Sequence, residues 1–253
     1  MSMVQLLLTM IFFQFHQQND GLNESGIKPS PQQITISFSN TINRRPVNFD
    51  STYVNAFDER FTVRSLKYYI SQIVLTDSIN GKTQKIEDRY FLINEADDLS
   101  KDIVLSTTIK DVSSISFVVG VDSLKNVSGV QTGVLDPAKG MFWTWNTGYV
   151  FFKFEGNSPA AKTPGRSFSY HVGGYKSGED AARKIELKLA KPAKADSNIR
   201  IDVSVEKIFY AMNAIKISTT PLCHEPGELA MKLADNYQHI FSITVPPQNR
   251  NTK

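Results

Sequence analysis

Apolar and polar side chains alternate along most of this chain. Ile34-Thr35-Ile36-Ser37-Phe38 puts every second residue on one apolar face. The same period of two recurs at Ile115, Phe117, Val119 and Val121, at Val150, Phe152 and Phe154, at Ile185, Leu187 and Leu189, and at Ile199, Ile201, Val203 and Val205. Each run predicts a strand with one face buried. Phe61 to Thr76 predicts one long strand or two consecutive ones, and Asn80-Gly81 predicts the tight turn of a hairpin into Lys85 to Ile93. One segment changes period. Between Glu225 and Phe241 the residues Leu229, Ala230, Leu233, Ala234, Tyr237, Ile240 and Phe241 fall at helical spacing, with Pro226 near the first turn and Glu225 and Glu228 toward the positive end of the helix dipole. The predicted class is therefore all-β: an antiparallel β-sandwich with one C-terminal amphipathic helix packed on it or capping one end.

The 253 residues suit one large all-β domain, which can bury a core without staples, and residues 34–245 are read as that single domain. Val4 to Phe13 is an apolar stretch of signal-peptide length and too short to span a bilayer, so residues 1–16 are read as an export signal. Residues 17–33, rich in Gln, Asn, Ser, Pro and Gly, read as a flexible linker. Twenty-eight basic residues against 25 acidic ones leave a net charge of +3, and the basic residues are scattered among carboxylates, which does not support nucleic-acid binding. Cys223 is the only cysteine, which excludes an intramolecular disulfide and a thiolate-rich zinc or iron–sulfur site. It reads as a buried apolar thiol rather than a lone soft ligand.

The densest chemistry lies in residues 140 to 156, where both tryptophans of the chain, Trp143 and Trp145, stand two apart ahead of a run of aromatics. In an extended segment they point the same way and make one aromatic wall. Downstream, Ser167 to Gly174 reads as a strand with Phe168, Tyr170 and Val172 on one face and His171 on the other, polar one. Of four histidines, His16 lies beside the export segment, leaving His171, His224 and His239 for a folded site. Imidazole is a common transition-metal ligand, and two or three of them with a soft or aromatic neighbour suit copper. His224 and His239 are 15 residues apart, roughly 22 Å along a continuous helix, so at most one of them joins His171. The zincin helix, the Gly-x-Ser-x-Gly elbow, the Walker loop and the dinucleotide fingerprint are all absent. Asp122, Asp136 and Glu155 flank the tryptophans and could pair as acid and base, but Asp136-Pro137 reads better as a turn and Asp122 as a strand end.

Several blocks, in order, carry a resemblance. Val119-Gly120-Val121-Asp122, Gly133-Val134-Leu135-Asp136-Pro137, Gly140-Met141-Phe142-Trp143-Thr144-Trp145-Asn146-Thr147-Gly148-Tyr149 and Phe168-Ser169-Tyr170-His171-Val172-Gly173-Gly174 resemble the MbnP-like family of secreted copper-binding proteins. With Leu66 to Ile73 and Leu233 to Tyr237 added, the resemblance spans residues 34–245. It implies a β-rich periplasmic or cell-surface protein that is not an enzyme, with copper as its metal and sequestration and delivery as its work. In parts of that family a di-haem peroxidase-type partner oxidises a tryptophan to kynurenine, and the modified side chain joins histidines at the copper. An outer-membrane copper transport system is a further implied partner. Trp143 and Trp145 are the counterparts here, and spacing does not choose between them. His171 lies in the matching motif, His224 and His239 compete for the second place, and Met141 offers a thioether or a core contact. The rival reading is a metal-free surface module that binds carbohydrate or protein. A flat exposed aromatic platform would favour the rival, and an indole meeting imidazoles would favour the metal.

Overall fold

A computed structural model describes residues 31–145, 148–194 and 196–243, so the export and linker readings, except for residues 31–33, lie outside the described residues. The principal strands are β1 (Gln32–Ile42), β2 (Arg60–Asp77), β3 (Tyr90–Asn94), β4 (Asp102–Thr107), β5 (Asp111–Val119), β6 (Phe142–Trp143), β7 (Gly148–Asn157), β8 (Ser167–Gly173), β9 (Arg183–Lys194), β10 (Asn198–Ser204), β11 (Leu222–Cys223) and β12 (Phe241–Ile243). Helix α1 (Ser123–Val127) follows β5, and α2 (Glu228–Tyr237) precedes β12. They build a larger sheet with the backbone order β9-β5-β2-β7-β8-β11 and a smaller one with the order β12-β10-β1, which β4 joins through β1. No helix among the described residues is long and apolar enough to cross a membrane.

The fold is mostly β, with two sheets face to face. Their inner faces meet through aromatic rings: Phe38 of the smaller sheet lies 6.1 Å from Tyr68 and 5.8 Å from Phe117 of the larger one, and Phe241 lies 5.3 Å from Phe117. Edge-to-face contacts of this kind add to what area burial alone supplies. One buried polar chain crosses the same interface. The Tyr68 hydroxyl donates to Asn40 Oδ1 at 2.8 Å, and Asn40 Nδ2 donates to Glu95 Oε2 at 2.7 Å, so the buried amide is satisfied.

Period-two patterning placed most strands, and Phe61 to Thr76 lies within one strand of 18 residues, Arg60–Asp77. The turn at Asn80-Gly81 returns the chain antiparallel to it at Thr83–Lys85. The sheets, however, are mixed. β1 pairs with β10 in parallel, and β8 pairs with β11 in parallel, because long connections bring each later strand back in the direction of its partner. The helix is also shorter than its apolar spacing predicts. Gly227, at φ +137°, precedes the first turn and leaves Pro226 outside it, while Ile240 and Phe241 bury themselves after the helix has ended. Phe241 belongs to β12. Tyr237 closes the helix onto the core, its ring stacked 5.3 Å from Phe152.

Gly156 sets a tight point in the larger sheet. A β-carbon there would strike the Thr62 carbonyl oxygen and lie within 2.7 Å of the Phe168 ring, and the backbone atom has no rotamer by which to retreat. Gly156→Ala should therefore cost about 3 kcal/mol of stability in urea unfolding, at the upper end of overpacking effects. A change below about 0.5 kcal/mol would show that β2 and β7 do not approach so closely.

Candidate metal centre

The outer face of the larger sheet carries the candidate site. β7 runs antiparallel to both β2 and β8, with Lys67 beside Lys153 and Lys153 beside His171. One pair further along, Ser65, Glu155 and Ser169 form the next row on the same face. Alternate residues of these strands, Leu66, Tyr68, Phe152, Phe154, Phe168, Tyr170 and Val172, point into the core. The sheet extends one more step because β11 lies parallel to β8, pairing Leu222 with Ser169 and Cys223 with Tyr170. Continuing that register sets His224 beside His171. Their ring centroids stand 4.7 Å apart at a tilt of 36°.

Glu155 organises this patch. Its Oε1 lies 2.6 Å from His171 Nε2 and 3.5 Å from Lys153 Nζ, and Ser169 Oγ lies 3.1 Å from the same ring nitrogen. Lys153 reaches on to donate to the Gly140 carbonyl at 3.3 Å, and Lys67 donates to the Lys139 carbonyl at 3.0 Å. The two lysines thus tie the loop that leads into Trp143 to the same face. The hydrogen bond from His171 lowers the Glu155 pKa; burial opposes it, Lys153 adds to it, and the net result is a carboxyl held at about 2. His224 is shifted down as well, by burial first and by His171 second, so its ring favours the neutral form. Burial pushes the Cys223 thiol up to about 12, so in the metal-free protein it stays protonated at neutral pH and packs as a core thiol.

The two tryptophans take different positions. Trp143 pairs with Gly148 in the short β6–β7 ribbon and is only 5% exposed, whereas Trp145 sits in the turn and is 63% exposed. Their centroids are 5.9 Å apart with the planes tilted by 44°, so the pair is a bent wall and not a flat platform. Trp143 rests on Gly173: a β-carbon on that glycine would lie 2.9 Å from Cη2 and Cζ3 of the indole. Gly173 and His171 share a strand face two residues apart, about 7 Å along the strand. The Trp143 Nε1 is buried with no hydrogen-bond acceptor among the described residues. A cleft of about 230 Å³ opens beside the indoles, walled also by Gly174, Glu179, Glu225 and Pro226. His171 and His224 are not part of its lining; Glu225 in its wall directly follows His224.

The remaining predicted residues stand elsewhere. His239 is exposed in the turn after α2, beside Lys184 to Leu187 of β9, and the structure does not bring it to the other two histidines. Met141 is wholly buried. Asp122 caps α1 by accepting from the Lys125 amide, and Asp136 accepts from the Ala138 amide in the turn that follows it. Sequence reasoning set Glu155 among flanking carboxylates and missed its bond to His171. Only the register of β7 against β8 reveals that pairing. Lys153 and Gly173 stood within the quoted segments without a role of their own.

A family model named MbnP matches residues 31–225. The chain belongs to the MbnP family. Among solved structures, MbnP from Methylosinus trichosporium has a similar fold, with a TM-score of 0.52 and 15% identity over 73% of this chain and 80% of that one. No curated protein matches. The match to the MbnP model covers the tryptophan segment, His171 and His224, and ends at Glu225, before α2 and His239.

Two outcomes test this geometry. In a Trp145→Phe background, where Trp143 alone emits, Gly173→Ala should red-shift the fluorescence as the new methyl lifts the indole off the strand; unshifted emission would mean the two do not touch. The Glu155 carboxyl has a folded pKa of about 2 against an ordinary 4.5, so the unfolded chain binds more protons between those values. Its contribution to stability should be fully present above pH 4.5 and fade as pH falls toward 2. The stability gap between wild type and Glu155→Gln, followed by denaturant titration, should close over that window, and a gap independent of pH would refute the ion pair.

Proposed function

We propose that this MbnP-family protein is an exported copper-binding protein that sequesters the metal and hands it on, with no turnover of its own. The observation that carries this reading is the facing pair His171 and His224, on the strand face where Trp143 also lies. Imidazole nitrogens suit copper, and both a raised thiol pKa at Cys223 and a neutral form at His224 favour nitrogen over sulfur as the donor here.

The donor set also argues for a modified side chain. Among the described residues, no three His, Cys, Asp or Glu side chains are grouped so as to hold a metal ion by themselves. A further donor to a two-histidine site would then come from outside that list. Oxidation of an indole to kynurenine supplies a ketone and an aromatic amine where the ring had a single N–H donor. Trp143 fits that role better than Trp145, because it is the indole against Gly173 and its N–H lacks an acceptor. Copper in this site would be a bound cargo for delivery. A di-haem peroxidase-type enzyme is the maturing partner in this reading, and exposed Trp145 is the aromatic surface it meets first. Periplasmic or cell-surface location and delivery to an outer-membrane copper transporter complete the proposal.

The rival reading as a carbohydrate-binding surface is disfavoured by the burial of Trp143 and the 44° bend between the rings, which deny a sugar a flat stacking platform. Titration of the matured protein with Cu(I) in competition with a chelator tests the metal reading. His171→Ala and His224→Ala should each lose more than about tenfold in affinity, or ~1.4 kcal/mol, while His239→Ala should bind as wild type does. Peptide mapping after exposure to the di-haem partner should place the mass change of kynurenine at Trp143. Wild-type affinity in His171→Ala, or both indoles intact, would overturn the assignment.

A further inference from the structure

We propose that Glu155 is the positioning residue of the histidine pair: by accepting the Nε2 hydrogen of His171 it fixes that ring's tautomer and leaves Nδ1 as the nitrogen that binds. The tautomer follows from geometry alone, and the binding step rests on the copper reading above.

A carboxylate has only lone pairs to offer, so a ring nitrogen 2.6 Å from Glu155 Oε1 must be the donor. Nε2 therefore carries the hydrogen, and in the neutral ring the free lone pair is on Nδ1. Ser169 Oγ, 3.1 Å from Nε2 and 3.5 Å from Glu155 Oε1, is a hydroxyl that can accept from the ring while donating to the carboxylate, so it is compatible with the same assignment. No other group among the described residues engages the ring by hydrogen bonding.

The carboxylate is itself constrained. Glu155 lies diagonally across from His171 on adjacent strands, within reach of long side chains. It also meets Lys153, which is anchored to Gly140 in the loop before Trp143. The side chains of Lys153, Glu155 and His171 are 17%, 22% and 21% exposed, so water competes only partly for these bonds. An outer carboxylate that orients a ligating imidazole through its second nitrogen is a general device of metal sites, and removing such a partner lowers metal affinity about 10–100-fold.

The test compares wild type, Glu155→Gln and Glu155→Ala as full chains. In metal-free protein at mildly alkaline pH, nitrogen-detected NMR of the imidazoles should show His171 as the Nε2–H tautomer in wild type. It should be the same in Glu155→Gln, whose amide oxygen still accepts, and a mixture in Glu155→Ala. Competitive Cu(I) titration should then show Glu155→Ala weakened about 10–100-fold and Glu155→Gln close to wild type. An unchanged tautomer in Glu155→Ala would overturn the proposal. Equal loss of copper in both variants would overturn it too, since a direct carboxylate ligand predicts that result. If even wild type binds no copper, the copper reading falls, and the metal-free spectra still decide whether Glu155 sets the tautomer.

Discussion

The candidate centre depends on a pairing of two residues. Leu222 and Cys223 lie parallel to Ser169 and Tyr170, and the Ser169 amide donates to the Pro221 carbonyl at 2.8 Å to begin the ladder. Without that short strand His224 would belong to a loop with no fixed relation to His171. Two residues of ladder are weak by themselves, so the approach to β11 is clamped elsewhere. Buried Glu59 receives the amides of Ile217 and Ser218 at 2.8 and 2.9 Å and the side-chain amide of Asn55 at 2.8 Å. Burial pushes the Glu59 carboxyl up, but those donors outweigh it and hold the group below its ordinary value. The carboxylate does for this loop what a sheet does for a strand.

Register then turns one sequence pattern into two functions. On β7 and β8 the inward residues are almost entirely aromatic or aliphatic, and they make the core on which the sandwich stands. The outward residues of the same strands are Lys153, Glu155, Ser169, His171 and Gly173. A slip of one residue would bury the charges and expose the rings, so core packing itself enforces the placement of Glu155 against His171. Gly173 completes the arrangement by having no side chain where the Trp143 ring lies.

Much of this was legible in the chain. Alternation revealed the strands and the face of His171, and the ordered blocks from Val119 to Gly174 revealed the family. Alternation is silent about partners. It could not show that β1 and β10 run parallel, nor that β11 exists, since a strand of two residues has no period. The choice between Trp143 and Trp145 was equally hidden, because it turns on a close approach to Gly173, 28 residues or more downstream. Pro226 was read as part of the first helical turn, whereas α2 begins only after Gly227, and the apolar spacing through Phe241 imitates a longer helix until the chain is seen to turn.

The charges around the histidine pair bear on which ion it can hold. Lys67 and Lys153 stand in the same row as His171, with Lys139 near Lys67, against the carboxylate of Glu155, which is already bonded to His171. Burial, then the neighbouring Lys153, lowers the pKa of Lys67, a sign that positive charge is crowded there. A hard divalent cation seeks several carboxylate and carbonyl oxygens, and this face offers it mainly repulsion. A softer, singly charged ion meets half that repulsion, and imidazole nitrogen can serve it without oxygen ligands. On electrostatic grounds the patch is poorly suited to Ca²⁺ or Mg²⁺, which want the oxygen ligands that this row of lysines and imidazoles does not offer.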